Sequence, residues 1–91
     1  MNSSTDSAYR RAQLAIADLK SAVRSVIESA SPVGLTNAQI GRMLGIYGGH
    51  VGHEGHVSRT ILAMIEAEGI VEQDKKTKCW SLRQHESNPS D

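Results

Sequence analysis

Apolar residues recur near the start of the chain at alternating steps of three and four, at Tyr9, Ala12, Ile16, Leu19, Val23, Val26 and Ala30. That spacing lays one stripe along a helix and, when sustained, forms a heptad seam. It predicts a helix that Thr5 or Asp6 can cap and that runs to about Ala30, where Ser31-Pro32-Val33-Gly34 turns the chain. Next, Thr36 is followed three residues later by Gln39, with Leu35 just outside and Ile40 just inside. In a capping box Thr36 accepts from the amide of Gln39, Gln39 reaches back to the amide of Thr36, and Leu35 staples onto Ile40. Gly45 ends this second helix. A third reads from about Glu54 to Glu68, with Val57, Ile61, Met64 and Ile65 on one stripe and Gly69 at its end. Ile70-Val71 opens a strand, Asp74 to Lys78 is too polar for burial, and Cys79-Trp80-Ser81-Leu82 alternates like a returning strand.

The order of these signals from Leu35 to Leu82 resembles the winged helix-turn-helix DNA-binding domains. In that family the helix before the wing commonly ends apolar-x-x-apolar-x-x-x-Gly-Ile/Leu-Val/Ile. Leu62, Ile65, Gly69, Ile70 and Val71 match this pattern, and Thr36 to Gly45 is similar to the family's second helix. The resemblance covers roughly residues 20 to 83. More loosely, the connector before Val57-Ser58-Arg59-Thr60-Ile61-Leu62 resembles that of small bacterial modules in restriction-modification and defence systems. The expected fold is therefore mainly α with a small β-hairpin: three helices plus a wing, with an extended N-terminal helix. The expected organisation is a disordered N-terminus at 1–6, a long helix for dimerisation and core at 7–31, a winged helix-turn-helix body at 32–83, and a disordered tail at 84–91. The resemblance implies a transcriptional regulator that reads double-stranded DNA with the helix at about 54–68 and grips its backbone with the wing at about 72–82.

Composition fits one small domain. An aromatic share of 3 % with no Phe leaves the core to aliphatic packing. One cysteine, Cys79, makes no internal disulfide, Met1 to Asp6 lacks the apolar stretch of a signal peptide, and no run approaches a membrane span. A cytoplasmic protein without a membrane partner is expected.

Charge complicates the DNA reading. Ten Lys and Arg balance ten Asp and Glu, so the chain starts with no global attraction to phosphate. Distribution restores part of it, because Lys75, Lys76 and Lys78 cluster at the expected wing tip while Glu66, Glu68 and Glu72 lie toward the far end of the third helix and its exit. Affinity from one copy would be low, so a dimer or a larger protein assembly is expected to supply the remainder.

The connector Tyr47 to His56 holds four of the eight glycines and three of the four histidines. Glycine permits close approach to another surface, and a helix N-terminus behind it suits a phosphate oxygen. His50, His53 and His56 are thus candidates for nucleic-acid contact, against the plainer reading of a flexible loop with solvated histidines. A metal set completed by Glu54 or Cys79 is disfavoured, since a three-residue repeat does not put imidazoles on one face of an α-helix. No metal or cofactor is expected.

On a wheel anchored to the apolar stripe of the third helix, Arg59 and Ala63 fall opposite the core, with His56 and Thr60 on one shoulder and Ser58 flanking. Arginine can pair bidentately with guanine, threonine can bond a base edge or phosphate, and alanine can approach a thymine methyl. The competing reading has Arg59 paired with Glu66 or simply solvated. Lys75, Lys76 and Lys78 suit phosphate contact or a minor groove, though a charged tip can also serve only solubility. Trp80 reads as a lid on the core more readily than as a stacking platform.

No nucleophile motif, phosphate-cradling loop or paired acidic motif is present, and an enzyme is not expected. The first half of the long helix lacks core residues to meet within its own chain. Tyr9, Ala12, Ile16 and Leu19 are therefore candidates for a homodimer seam, the alternative being a solvated, partly frayed extension. Two function classes follow: a DNA-binding protein, or an adaptor that uses the same fold to join proteins without reading DNA.

Overall fold

A computed structural model describes residues 3–49, 52 and 54–84. Among them are three helices, α1 (Ser3–Ser29), α2 (Asn37–Met43) and α3 (His56–Ala67), followed by β1 (Val71–Gln73) and β2 (Trp80–Leu82). The strands form an antiparallel hairpin that pairs Val71 with Leu82, Glu72 with Ser81 and Gln73 with Trp80. The fold is mainly helical with a small hairpin, as the periodicity predicts. Most of the expected C-terminal tail, residues 85–91, lies outside the described residues.

α1 departs from expectation at its beginning. It is already helical at Ser3, so Thr5 and Asp6 lie inside its first turn instead of capping it, and from residue 3 onward the expected disordered segment is part of the helix. Asp6 there opposes the positive end of the helix dipole, and the following Ala8, Ala12, Ala15 and Ala17 carry the highest helix propensity of any residue type. Its 27 residues make a rod about 40 Å long.

Only the second half of that rod enters the core. Val23 and Ile27 of α1 meet Ile40 of α2, Ile61, Leu62 and Ile65 of α3, Val71 of β1 and Trp80 of β2, all buried. Each such side chain contributes roughly 1.5–3 kcal/mol by leaving water. Ile16, Leu19 and Val26 pack partly against this cluster, as do Leu35, Leu44, Met64, Ile70 and Leu82. Trp80 thus closes the core, the more favoured of its two readings.

The predicted caps of α2 are both present. Thr36 Oγ1 accepts from Gln39 N at 3.2 Å, and Gln39 Oε1 accepts from Thr36 N at 2.8 Å. α3 is shorter than predicted because Gly55, in left-handed conformation at φ 79°, is its N-cap and supplies no side chain. At its other end Gly69 N donates to Glu66 O and Ile70 N to Ile65 O, the two bonds of a Schellman motif.

The buried stripe of α3 also differs from the predicted one. Ser58, Ile61, Leu62 and Ile65 are buried while Val57 and Met64 are half-buried. This rotates the inward face by about 60° at 3.6 residues per turn. A serine can occupy the core side because its hydroxyl is satisfied there, 2.7 Å from Asn37 Oδ1 and 3.1 Å from Gly55 O.

The hairpin is tied to the helices through the backbone ahead of α2. Leu35 N donates to Trp80 O at 3.0 Å and Trp80 N donates to Leu35 O at 2.6 Å, so Leu35 lies beside β2 as a one-residue third strand. Gly34 makes this possible. Its φ of +83° is left-handed, and a Cβ there would collide with the Trp80 carbonyl oxygen. Gly34→Ala should therefore destabilise the fold by more than the roughly 1–2 kcal/mol of the left-handed backbone alone. Urea unfolding followed by Trp80 fluorescence measures this, and an unchanged midpoint would mean that the Leu35–Trp80 pair is dispensable.

Candidate nucleic-acid interface

Two clusters of polar side chains stand clear of the core. The first is the outer face of α3, where His56, Arg59, Thr60 and Ala63 are all exposed. They recur at steps of three, one and three, which keeps them on one side of a helix. Arg59 Nη2 lies 3.4 Å from the Glu54 carbonyl oxygen, a long contact that leaves most of its donors uncommitted. Among the described residues the only ion pair joins Lys20 to Glu68 at 2.6 Å, so the expected competitor Glu66 does not hold Arg59. The Thr60 hydroxyl donates to His56 O at 2.8 Å and keeps its acceptor capacity.

Ser58 does not belong to this face. It is fully buried, and its hydroxyl braces Asn37 of α2 against the start of α3, so its expected contact with DNA is corrected to a structural role. The reason is the rotation of α3, which an apolar stripe alone could not foretell for a polar residue. His50 and His53 lie outside the described residues. Among the described residues no group of three or more His, Cys, Asp and Glu side chains converges as metal ligands would.

Sequence reasoning missed Arg42 and Tyr47. Arg42, exposed in the last turn of α2, lies over the Tyr47 ring with its guanidinium carbon 4.6 Å from the centroid. Tyr47 is wedged so closely against Gly41 and Gly55 that a Cβ on either would press into its ring. Gly41 is buried in α2 and Gly55 caps α3, so one tyrosine locks the two helices together and holds an arginine beside the start of α3. The legible signal was the pair of glycines, whose role is close approach.

The second cluster is the hairpin tip. Lys75, Lys76 and Lys78 are exposed on a turn built around Asp74, whose Oδ1 accepts from the amides of Lys76 and Thr77, both at 2.8 Å. Lys78 N donates to Asp74 O, Asp74 N donates to Cys79 O, and Lys78 adopts a positive φ of 66°. Gln73 Nε2 donates to Lys78 O at 3.1 Å, and Cys79 N to Thr77 Oγ1 at 3.2 Å. The tip is thus a bonded scaffold that presents ammonium groups.

These amides hold the Asp74 carboxyl below its ordinary value, the bond from Thr77 counting most and that from Lys76 next. A folded-state value below the unfolded one contributes order that is complete above the unfolded value and lost as pH falls through the folded value. Asp74→Asn, which keeps an acceptor, should hold the turn and remove this pH dependence, whereas Asp74→Ala should loosen the tip at every pH. Amide shifts of Lys76 and Thr77 across an acid titration report it; identical titrations in wild type and Asp74→Asn would refute the role of the carboxylate.

The candidate seam on α1 divides. Tyr9 and Ala12 are exposed, Tyr9 at 65 %, whereas Ile16 and Leu19 are half-buried against the chain's own core. Among the described residues, no helix is long and apolar enough to cross a membrane. No known protein family, curated protein or solved structure matches this chain.

Proposed function

We propose that the chain is a winged helix-turn-helix protein that binds duplex DNA and serves in transcriptional regulation. In this reading α2 and α3 are the helix-turn-helix, α3 enters the major groove, and the hairpin is the wing. The observation that carries it is the outer face of α3: an arginine without a carboxylate partner among the described residues, flanked by His56, Thr60 and small Ala63. The lysine tip supports it as a second contact, because a turn with a bonded backbone carries three exposed ammonium groups toward phosphates. Arg42, steadied by Tyr47, is placed to grip the backbone beside the groove.

Charge sets how the helix would lie. Glu66 is exposed on α3 and Glu68 follows its end, so the C-terminal part repels phosphate and only the N-terminal turns enter the groove. The balanced net charge favours one competing reading, a protein-interaction adaptor that uses the same surfaces without DNA.

Titration of a labelled duplex across a salt series separates the two. DNA binding should weaken steeply with salt, and replacing Lys75, Lys76 and Lys78 by Ala should weaken it on every duplex alike and flatten the slope. Arg59→Ala should instead lose discrimination between preferred and scrambled sequences by about 1–3 kcal/mol. Absence of binding at low salt would reject the DNA reading and leave the adaptor.

A further inference from the structure

The rotation of α3 also changes which of its residues stand outermost. With Ser58, Ile61, Leu62 and Ile65 on the buried side, counting at 3.6 residues per turn sets His56, Thr60 and Ala63 within about 30° of the direction that points straight away from the core, and Arg59 about 70° from it. Thr60, a shoulder residue by the sequence pattern, is thus on the outer ridge of the helix, and it is exposed there. Ala63 and exposed Ala67 follow on the same ridge. Neither is large enough to hold a surface away from the short threonine side chain.

The Thr60 hydroxyl has only part of its chemistry left to offer. Its Oγ1 lies 2.8 Å from the His56 carbonyl oxygen, one turn back. At that distance a hydrogen must lie between the two oxygens, because facing lone pairs would repel. A hydroxyl has one proton, and here it is committed inside the helix, so Thr60 turns only lone pairs outward. A phosphate oxygen is itself an acceptor, and Thr60 in this conformation cannot bond it. The donors that a major groove presents are exocyclic amino groups, N6 of adenine and N4 of cytosine, whereas guanine and thymine present carbonyl oxygens.

We infer that Thr60 is a specificity-determining residue: it accepts from the amino group of an adenine or a cytosine and so selects amino-bearing over carbonyl-bearing bases at one position of the strand it faces. This inference rests on the proposed DNA contact of α3 and adds what that face reads. Arg59 is the chemical opposite of its neighbour, a donor with no acceptor. Its guanidinium lies toward the start of α3, at the Glu54 carbonyl, away from the Thr60 hydroxyl on the ridge. The face therefore holds a group that offers only donors and a group that offers only lone pairs at separate places. The first suits the carbonyl and ring nitrogen of guanine, the second an amino group at another position.

Selection at low salt from a pool of duplexes randomised at the centre, with the full-length chain and with Thr60→Val, tests this. Valine keeps the branched shape and removes the oxygen. The wild type should enrich duplexes in which one position is held to adenine or cytosine. Thr60→Val should release that position alone and bind the wild-type duplex about threefold to tenfold more weakly, with the guanine position and the helical circular dichroism unchanged. Purine in place of adenine, or pyrimidin-2-one in place of cytosine, removes the amino group from the selected duplex. The wild type should lose the same factor on the analogue of whichever base it selected, and Thr60→Val should lose nothing further. Full wild-type affinity for that analogue, or a Thr60→Val pool with the same restriction, would overturn the role of Thr60 while leaving DNA binding intact. So would retained duplexes with no position held to adenine or cytosine. A pool from which no duplex is retained would overturn the DNA reading and this inference with it.

Discussion

The two backbone bonds between Leu35 and Trp80 are the constraint on which the rest of the fold depends. Among the described residues eight buried apolar side chains, one of them aromatic, make a thin core drawn from all three helices and both strands. Pairing Leu35 with Trp80 sets the hairpin against the entry to α2, brings the indole over the aliphatic cluster, and orients the turn that carries the lysines. Only glycine at position 34 lets the two backbones approach so closely. The hairpin is therefore part of the core at its base and free at its tip.

A second junction sets the relation between α2 and α3. Buried Ser58, half-buried Asn37 and the Gly55 carbonyl form a small polar knot, with Tyr47 packed against both helices beside it. A polar knot of this kind is costly unless every member is bonded, and among the described residues no buried side-chain polar atom lacks a partner. It makes the crossing of the two helices specific where aliphatic contacts would tolerate sliding. The outer face of α3 is aimed by this knot, so the side chains proposed to meet DNA owe their direction to residues that never touch it.

Much of this was legible in the sequence where a local rule decides the outcome. The Thr36–Gln39 capping box, the Gly69 stop and the returning strand at Trp80 depend on neighbours within a few residues, and each forms, although burial along that strand does not alternate. What eluded the pattern is tertiary. The rotation of α3 turned on Ser58, whose burial is stable only because Asn37 and Gly55 wait for it from 21 and 3 residues away. Arg42 and Tyr47 escaped the reading for the same reason: the two glycines hint at a close approach, but neither side chain is unusual until Gly41 and Gly55 let the ring between two helices. The start of α1 was placed too late because Thr5 and Asp6 have the chemistry of caps, yet both lie within its first turn, where alanine content and Asp6 sustain the helix. Along the same helix, the stripe does not announce where the chain's own core ends, which is at Ile16.

The proposed DNA contact uses the outer face of α3, Arg42 and the lysine tip, all apart from the exposed first half of α1. Backbone amide shifts of the labelled protein, followed while a short duplex is added at low salt, test that proposal directly. Shifts concentrated at Arg42, at His56 to Ala63 and at Lys75 to Lys78, with Thr5 to Ala15 unmoved, are the predicted result. Shifts confined to the first half of α1, or none at all, would contradict it.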